Sequence, residues 1–227
     1  MIDYKTHEFR GCTFLDYPGS NSVKFITTDI ECSAPGCPLD IPLQPGDVVV
    51  DIGAHVGIIS ILMAKQYPEV KFYAFEPMTP TYEALELNII ANNTPNVIPH
   101  HFGVAGQECI RTMAVCFEDN SAGATMWASM SADNPNYPEK CITADQVWEL
   151  TGHADIKLLK MDCEGAEHEF IRASLNSEFW KHVHHCVGEL HENELLNKAG
   201  YSNKATQATL GQITSGTVRF QAITMAQ

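Results

Sequence analysis

The chain has 227 residues, 44% of them hydrophobic, which suits one domain with a sizeable buried core and argues against disorder. Its 14 basic against 28 acidic residues leave a formal charge of −14, and the Lys and Arg are scattered, so neither a nucleic acid nor an anionic membrane surface is expected as a partner. No apolar run is long enough to cross a bilayer, and the polar opening from Met1 to Arg10 lacks the apolar stretch of a signal peptide, so the expected compartment is the cytoplasm.

Residues 1–43 read as an N-terminal extension. Within it, 22–28 is β-prone and Pro18-Gly19-Ser20-Asn21 supplies turn chemistry, which predicts a strand or hairpin against the main sheet. The eight cysteines are spread along the chain and read as reduced, mostly buried thiols. Cys32 and Cys37 flank a turn but have no second pair at matching spacing, so no zinc is assigned to them.

From 44 to 227 the pattern is that of a Rossmann-like α/β domain, a mostly parallel sheet with helices on both faces. A continuous apolar strand is predicted over 47–52, as when both faces of a parallel strand are covered. A helix over 57–66, a strand over 71–75 and a helix over 79–91 complete a βαβ unit. A strand over 97–102 follows, then strand-like segments from 109 to 131 joined by Asn120-Ser121-Ala122-Gly123. A short helix over 145–150 leads to a strand over 156–161, a helix over 165–175 and a strand over 185–190, with edge strands through 218–223.

The strongest motif is Val50-Asp51-Ile52-Gly53-Ala54-His55-Val56-Gly57, a buried strand entering a glycine turn and then a helix. Gly53 permits a tight turn and close approach of a ligand to the backbone, Gly57 permits close helix packing, and Asp51 ends the strand where a cationic amino acid moiety can be met. Glu76 follows in Phe75-Glu76-Pro77, at the distance from Gly53 expected of an acid that accepts from both ribose hydroxyls. The glycine spacing is not the Gly-x-Gly-x-x-Gly of a pyrophosphate turn, and an anionic ligand gains little from Asp51. S-adenosylmethionine, a nucleoside with a sulfonium cation and no phosphate, fits Asp51, Gly53, Ala54, His55, Gly57 and Glu76 better. A second apolar strand ends in Asp162-Cys163-Glu164-Gly165-Ala166-Glu167, placing Asp162 and Glu164 on the same rim; Glu167 reads equally well as an acid favoured by the next helix's N-terminus.

Three segments, Val50-Asp51-Ile52-Gly53-Ala54-His55-Val56-Gly57, Tyr73-Ala74-Phe75-Glu76-Pro77 and, as the specific part, Lys160-Met161-Asp162-Cys163-Glu164-Gly165-Ala166-Glu167, resemble the FkbM-type methyltransferase family over roughly 44–192. The family usually carries Asn where this chain has His55, and a Leu-Asp-Asp-like segment before the fourth strand stands here as Thr143-Ala144-Asp145-Gln146. The resemblance implies methyl transfer to a hydroxyl of a small molecule such as a sugar or secondary metabolite, and a similar Asn-Ser-Gly loop implies that 120–125 borders the active site. An alcohol is a poor nucleophile, so Asp162, Glu164 and His191 are the candidate catalytic residues, one of them taking the acceptor's proton. N-methyl transfer, an NAD-type oxidoreductase and an inactive nucleoside-binding protein are the alternatives, and a homo-oligomer is left open. His182, His184 and His185 crowd together, but such spacing is commoner among surface or core residues than ligands, so no metal is assigned.

Overall fold

The computed structural model describes residues 3–34, 36–114 and 136–225. The chain opens with a hairpin, β1 (Lys5–Phe9) against β2 (Cys12–Asp16), followed by helix α1 (Ser22–Glu31). The strand expected at 22–28 is therefore corrected to a helix: Val23, Ile26 and Ile30 recur at helical spacing and turn one apolar face onto the core, and this tertiary burial overrides the β-branched propensity of Ile26, Thr27 and Thr28.

The main body follows as β3 (Val48–Ile52), α2 (Ile58–Gln66), β4 (Lys71–Phe75), α3 (Thr79–Ala91), β5 (Val97–His100), β6 (Gly103–Val104), β7 (Cys109–Ala114), β8 (Asn136–Ile142), α4 (Ala144–Leu150), β9 (Ile156–Met161) and α5 (Ala166–Ala173). A 3₁₀ turn at Glu178–His182 leads to β10 (Val183–Glu192), α6 (Glu194–Lys198), α7 (Asn203–Ile213) and β11 (Val218–Thr224). Six strands form one sheet in the order β11-β10-β9-β3-β4-β5, every neighbouring pair parallel, while β6, β8 and β7 make a separate small sheet. The order reverses between β3 and β9, so the ligand crevice of such a sheet lies at their carboxyl ends.

The pleat divides the core in two. Val48, Val50 and Ile52 pack with Phe170, Ile171, Trp180 and Leu210 on the side of α4, α5 and α7. Val49, Phe72 and Ala74 pack with Ile58, Ile61, Leu85, Val23 and Ile30 on the side of α1, α2 and α3. Both faces are covered, which is why β3 and β4 read as continuous apolar runs. Buried Asn88 of α3 pins the hairpin to this body: its carbonyl accepts from the Leu15 N–H (2.7 Å), and its amide donates to the Leu15 and Val56 carbonyls. The described cysteines are all free thiols; Cys12, Cys141 and Cys186 are buried and Cys32 is exposed. Among the described residues no helix is long and apolar enough to cross a membrane. The 120–125 loop lies outside the described residues.

Candidate active site

The carboxyl ends of β3, β4, β9 and β10 line one cavity, and α1 adds Phe25, Ile26, Asp29 and Ile30 to its wall. At the end of β3, Gly53 has φ 78° and a side chain there would overlap the Asp162 carbonyl, so only glycine lets this turn pass the end of β9. Gly53, Ala54 and His55 all line the cavity. The His55 N–H donates to Glu76 Oε2 at 2.9 Å, and burial lowers the His55 ring to about 4, so it is neutral at physiological pH.

Glu76 also lines the cavity, and its Oε1 accepts from the Met78 N–H (2.9 Å) and the Thr81 hydroxyl (2.8 Å). Three of the roughly four acceptor positions of the carboxylate are therefore taken by the protein, leaving about one toward the cavity. Burial pushes Glu76 up to about 7, against the pull of those donors.

Two residues expected to touch the ligand do not line the cavity. Asp51 is 1% exposed; its Oδ2 accepts from Ser60 Oγ at 2.7 Å and its Oδ1 pairs with Lys160 Nζ at 3.1 Å. The register sets Asp51 directly opposite Lys160, so its carboxylate is paired with that lysine and stands off the cavity wall. Gly57 has φ 87°, and a side chain there would run into Leu85 and Ile61, so its role is close packing of α2 against α3. Lys160 itself lines the cavity, donates to the Gly53 carbonyl at 2.8 Å and stands 3.6 Å from Asp162 Oδ2. Burial alone would lower its pKa, but Asp51 and Asp162 raise it, so Lys160 stays charged and ties the glycine turn to the acidic rim.

Across the cavity, Asp162, Glu164 and Glu189 present carboxylates, and His191 stands behind them, 2% exposed and outside the cavity wall. His191 Nε2 lies 3.5 Å from Glu189 Oε2, 3.6 Å from Glu164 Oε2 and 3.8 Å from Asp162 Oδ1. Its Nδ1 meets Glu167 Oε1 at 3.1 Å. Burial would lower the imidazole, but Glu167, Glu189 and Glu164 outweigh it and push it up to about 12. Nε2 faces these carboxylates and the ring lies outside the cavity wall, so its geometry is that of a positioning residue rather than of the base expected for it.

Glu167, fully buried, accepts from the Cys163 N–H (2.7 Å) and the Gly165 N–H (2.9 Å) as well as meeting His191, so it both ties the start of α5 and orients the imidazole. Burial would raise this carboxyl, but His191 and the backbone donors bring it below the usual range. Glu164 stands at φ 54° just before the helix, and burial, then the neighbouring acids Asp162, Glu167 and Glu189, push it up to about 8 against the pull of His191. His168, buried on α5, bonds the His191 carbonyl through Nε2 (2.7 Å) and Thr206 through Nδ1 (2.7 Å), which fixes the end of β10.

Sequence reasoning singled out neither Glu189 nor the special position of Lys160. The period of two along a strand carried the signal: Glu189 shares a face with His191, as Lys160 does with Asp162 at the strand end. The contribution of α1 to the cavity had no such local signal.

Residues 51–210 match the sequence model of the family described as methyltransferase FkbM domain. The chain is 26% identical over 168 residues to methyltransferase 1 of Beauveria bassiana (strain ARSEF 2860), covering 66% of each. It is 24% identical over 179 residues to the 31-O-demethyl-FK506 methyltransferase FkbM of Streptomyces tacrolimicus, covering 67% of this chain and 68% of that one. It thus spans about two thirds of the length of these relatives. Among solved structures, M. jannaschii TYW2 in complex with AdoMet aligns with 44% of this chain and 43% of its own, at 26% identity and a TM-score of 0.33.

Proposed function

The chain belongs to the FkbM methyltransferase family, and from that premise we propose that it transfers the methyl group of S-adenosylmethionine to a hydroxyl oxygen of a small-molecule acceptor. The observation that carries the cofactor reading is the charge of the cavity wall. Asp29, Glu76, Asp162, Glu164 and Glu189 line it, whereas Lys160, the one lysine among the described lining residues, is already held by Asp51 and Asp162. A pyrophosphate meets repulsion there, while a cationic nucleoside is attracted, which favours this cofactor over a dinucleotide. The donor set fits: Gly53 and Ala54 give backbone close to the ligand, Glu76 keeps acceptor capacity for a ribose hydroxyl, and the rim acids suit a positive centre. S-adenosylmethionine, when bound, supplies a methyl group on a cationic sulfur.

The rest is done by the protein. We assign residues 44–227 as the cofactor-binding domain and 1–43 as an extension whose helix α1 supplies an apolar wall. Asp162 and Glu164, on the cavity surface, are the groups that accept the acceptor's proton, and His191 and Glu167 hold them in place from behind. Burial of the reacting atoms between α1 and the strand ends excludes water, and much of the rate comes from positioning two bound reactants. Incubating the protein with methyl-labelled S-adenosylmethionine and a panel of hydroxylated and amine acceptors tests this. Label on oxygen supports the proposal, label on nitrogen only replaces it with N-methyl transfer, and preferential binding of NAD with no labelled product overturns it.

A further inference from the structure

We propose that Asp162, Glu164 and His191 form a binding site for one divalent transition-metal cation, Mn²⁺ in the first instance, at the acidic rim of the cavity. One donor atom from each of the three lies within 4.8 Å of the other two. Two donors held about 2.1 Å from one ion stand about 3.0 Å apart at octahedral right angles and about 3.4 Å apart in a tetrahedron. The distances from His191 Nε2 to Glu164 (3.6 Å) and Asp162 (3.8 Å) lie within about 0.4 Å of the tetrahedral spacing and about 0.6 to 0.8 Å beyond the octahedral one, so the side chains draw in as the ion binds.

The imidazole is an independent observation, because this is more than a group of surface acids. His191 is 2% exposed, and its far nitrogen is engaged by the fully buried Glu167 carboxylate at 3.1 Å. A carboxylate behind a histidine, fixing its ring and aiming Nε2 at a cation, is the usual support of a metal-ligating histidine. The His168 bond to the His191 carbonyl further immobilises it. Coordination by Nε2 replaces the proton that this nitrogen carries in the metal-free site, and that proton leaves to solvent as the ion binds. A mixed set of one imidazole nitrogen and carboxylate oxygens suits Mn²⁺ or Zn²⁺ better than Ca²⁺, which takes oxygen alone. Asp162, Glu164 and Glu189 line the cavity, so the ion has an entry path and an open side for an acceptor oxygen. This role in holding the acceptor rests on the methyltransferase reading; the binding itself does not.

The test uses the chelator-treated full chain titrated with MnCl₂ alone, with free Mn²⁺ followed by electron paramagnetic resonance and S-adenosylhomocysteine binding measured in parallel. The expected result is one ion per chain, weakened at least about tenfold in Asp162→Asn and in Glu164→Gln, and about 10- to 100-fold in Glu167→Gln, which loses the support of the ring. Exposed Glu178→Gln serves as the unchanged control. Circular dichroism identifies any variant that fails to fold, and the two rim substitutions are read independently. Wild-type protein that holds no more Mn²⁺ than the rim variants overturns the proposal, and if S-adenosylhomocysteine still binds, the methyltransferase reading survives. Stoichiometric metal without any binding of S-adenosylhomocysteine sinks that reading and leaves the metal site standing.

Discussion

Replacing Glu76 by alanine tests the cofactor assignment most directly. The carboxylate already accepts from the His55 N–H, the Met78 N–H and the Thr81 hydroxyl, so about one strong acceptor position remains for a ribose hydroxyl. A hydrogen bond to a charged group contributes about 1.5 to 3 kcal/mol, so Glu76→Ala should weaken S-adenosylhomocysteine roughly 10- to 150-fold. Isothermal titration calorimetry reads this, with circular dichroism to establish that the variant is folded. The same group predicts a pH dependence. Burial pushes Glu76 up to about 7 in the ligand-free site, and the ribose hydroxyl donates to the ionised form, so protons compete with the ligand. Affinity should be full above about pH 7 and fall toward tenfold per unit below it. Wild-type affinity in the alanine variant, or no Glu76-dependent loss of affinity between about pH 5 and 8, would refute the ribose assignment.

In the ligand-free protein, Glu76 has a folded pKa of about 7 against 4.5 for the free group. Its contribution to stability should therefore be present below about pH 4.5 and lost as the pH rises through 7, by of order 3 kcal/mol; comparing wild type with Glu76→Gln by thermal melts at several pH values checks the sign. Gly53→Ala combines a left-handed backbone with overlap onto the Asp162 carbonyl, so it should cost at least about 1 to 2 kcal/mol and lower Tm by several degrees; an unchanged melt contradicts the close approach. His191→Ala removes the cation from a buried carboxylate cluster and should destabilise by about 3 to 5 kcal/mol, whereas loss of turnover with an unchanged Tm would restore His191 as a simple base. Asn88→Ala leaves the Leu15 and Val56 backbone groups without their partner, at about 1 to 3 kcal/mol each, and should expose the N-terminal hairpin to proteolysis before the rest of the chain.

Much of the architecture was legible in the linear chain because it depends on local periodicity. A continuous apolar run marked β3 as a strand covered on both faces, β9 read as a second apolar strand, and the acids at the strand ends marked the rim that lines the cavity. Gly53, Glu76, Asp162 and Glu164 were legible for the same reason: strand-end residues of a parallel sheet share one edge wherever the strands lie in the order. What a side chain does beyond that edge depends on which strand stands beside it. Asp51 was expected at the ligand, yet the β3–β9 register places it opposite Lys160, and the pleat turns it toward Ser60 of α2. His191 was expected as a base, yet packing of α5 over β10 brings buried Glu167 against it and fixes its charge. Residues 22–31 carried both β-branched propensity and a helical apolar stripe, and only the availability of a core surface at the cavity mouth decided for the helix. The sequence by itself determined which groups stand at the strand ends; the tertiary structure decided which of them face the cavity and which neutralise one another, because pairs distant in the chain meet only through sheet register and helix packing.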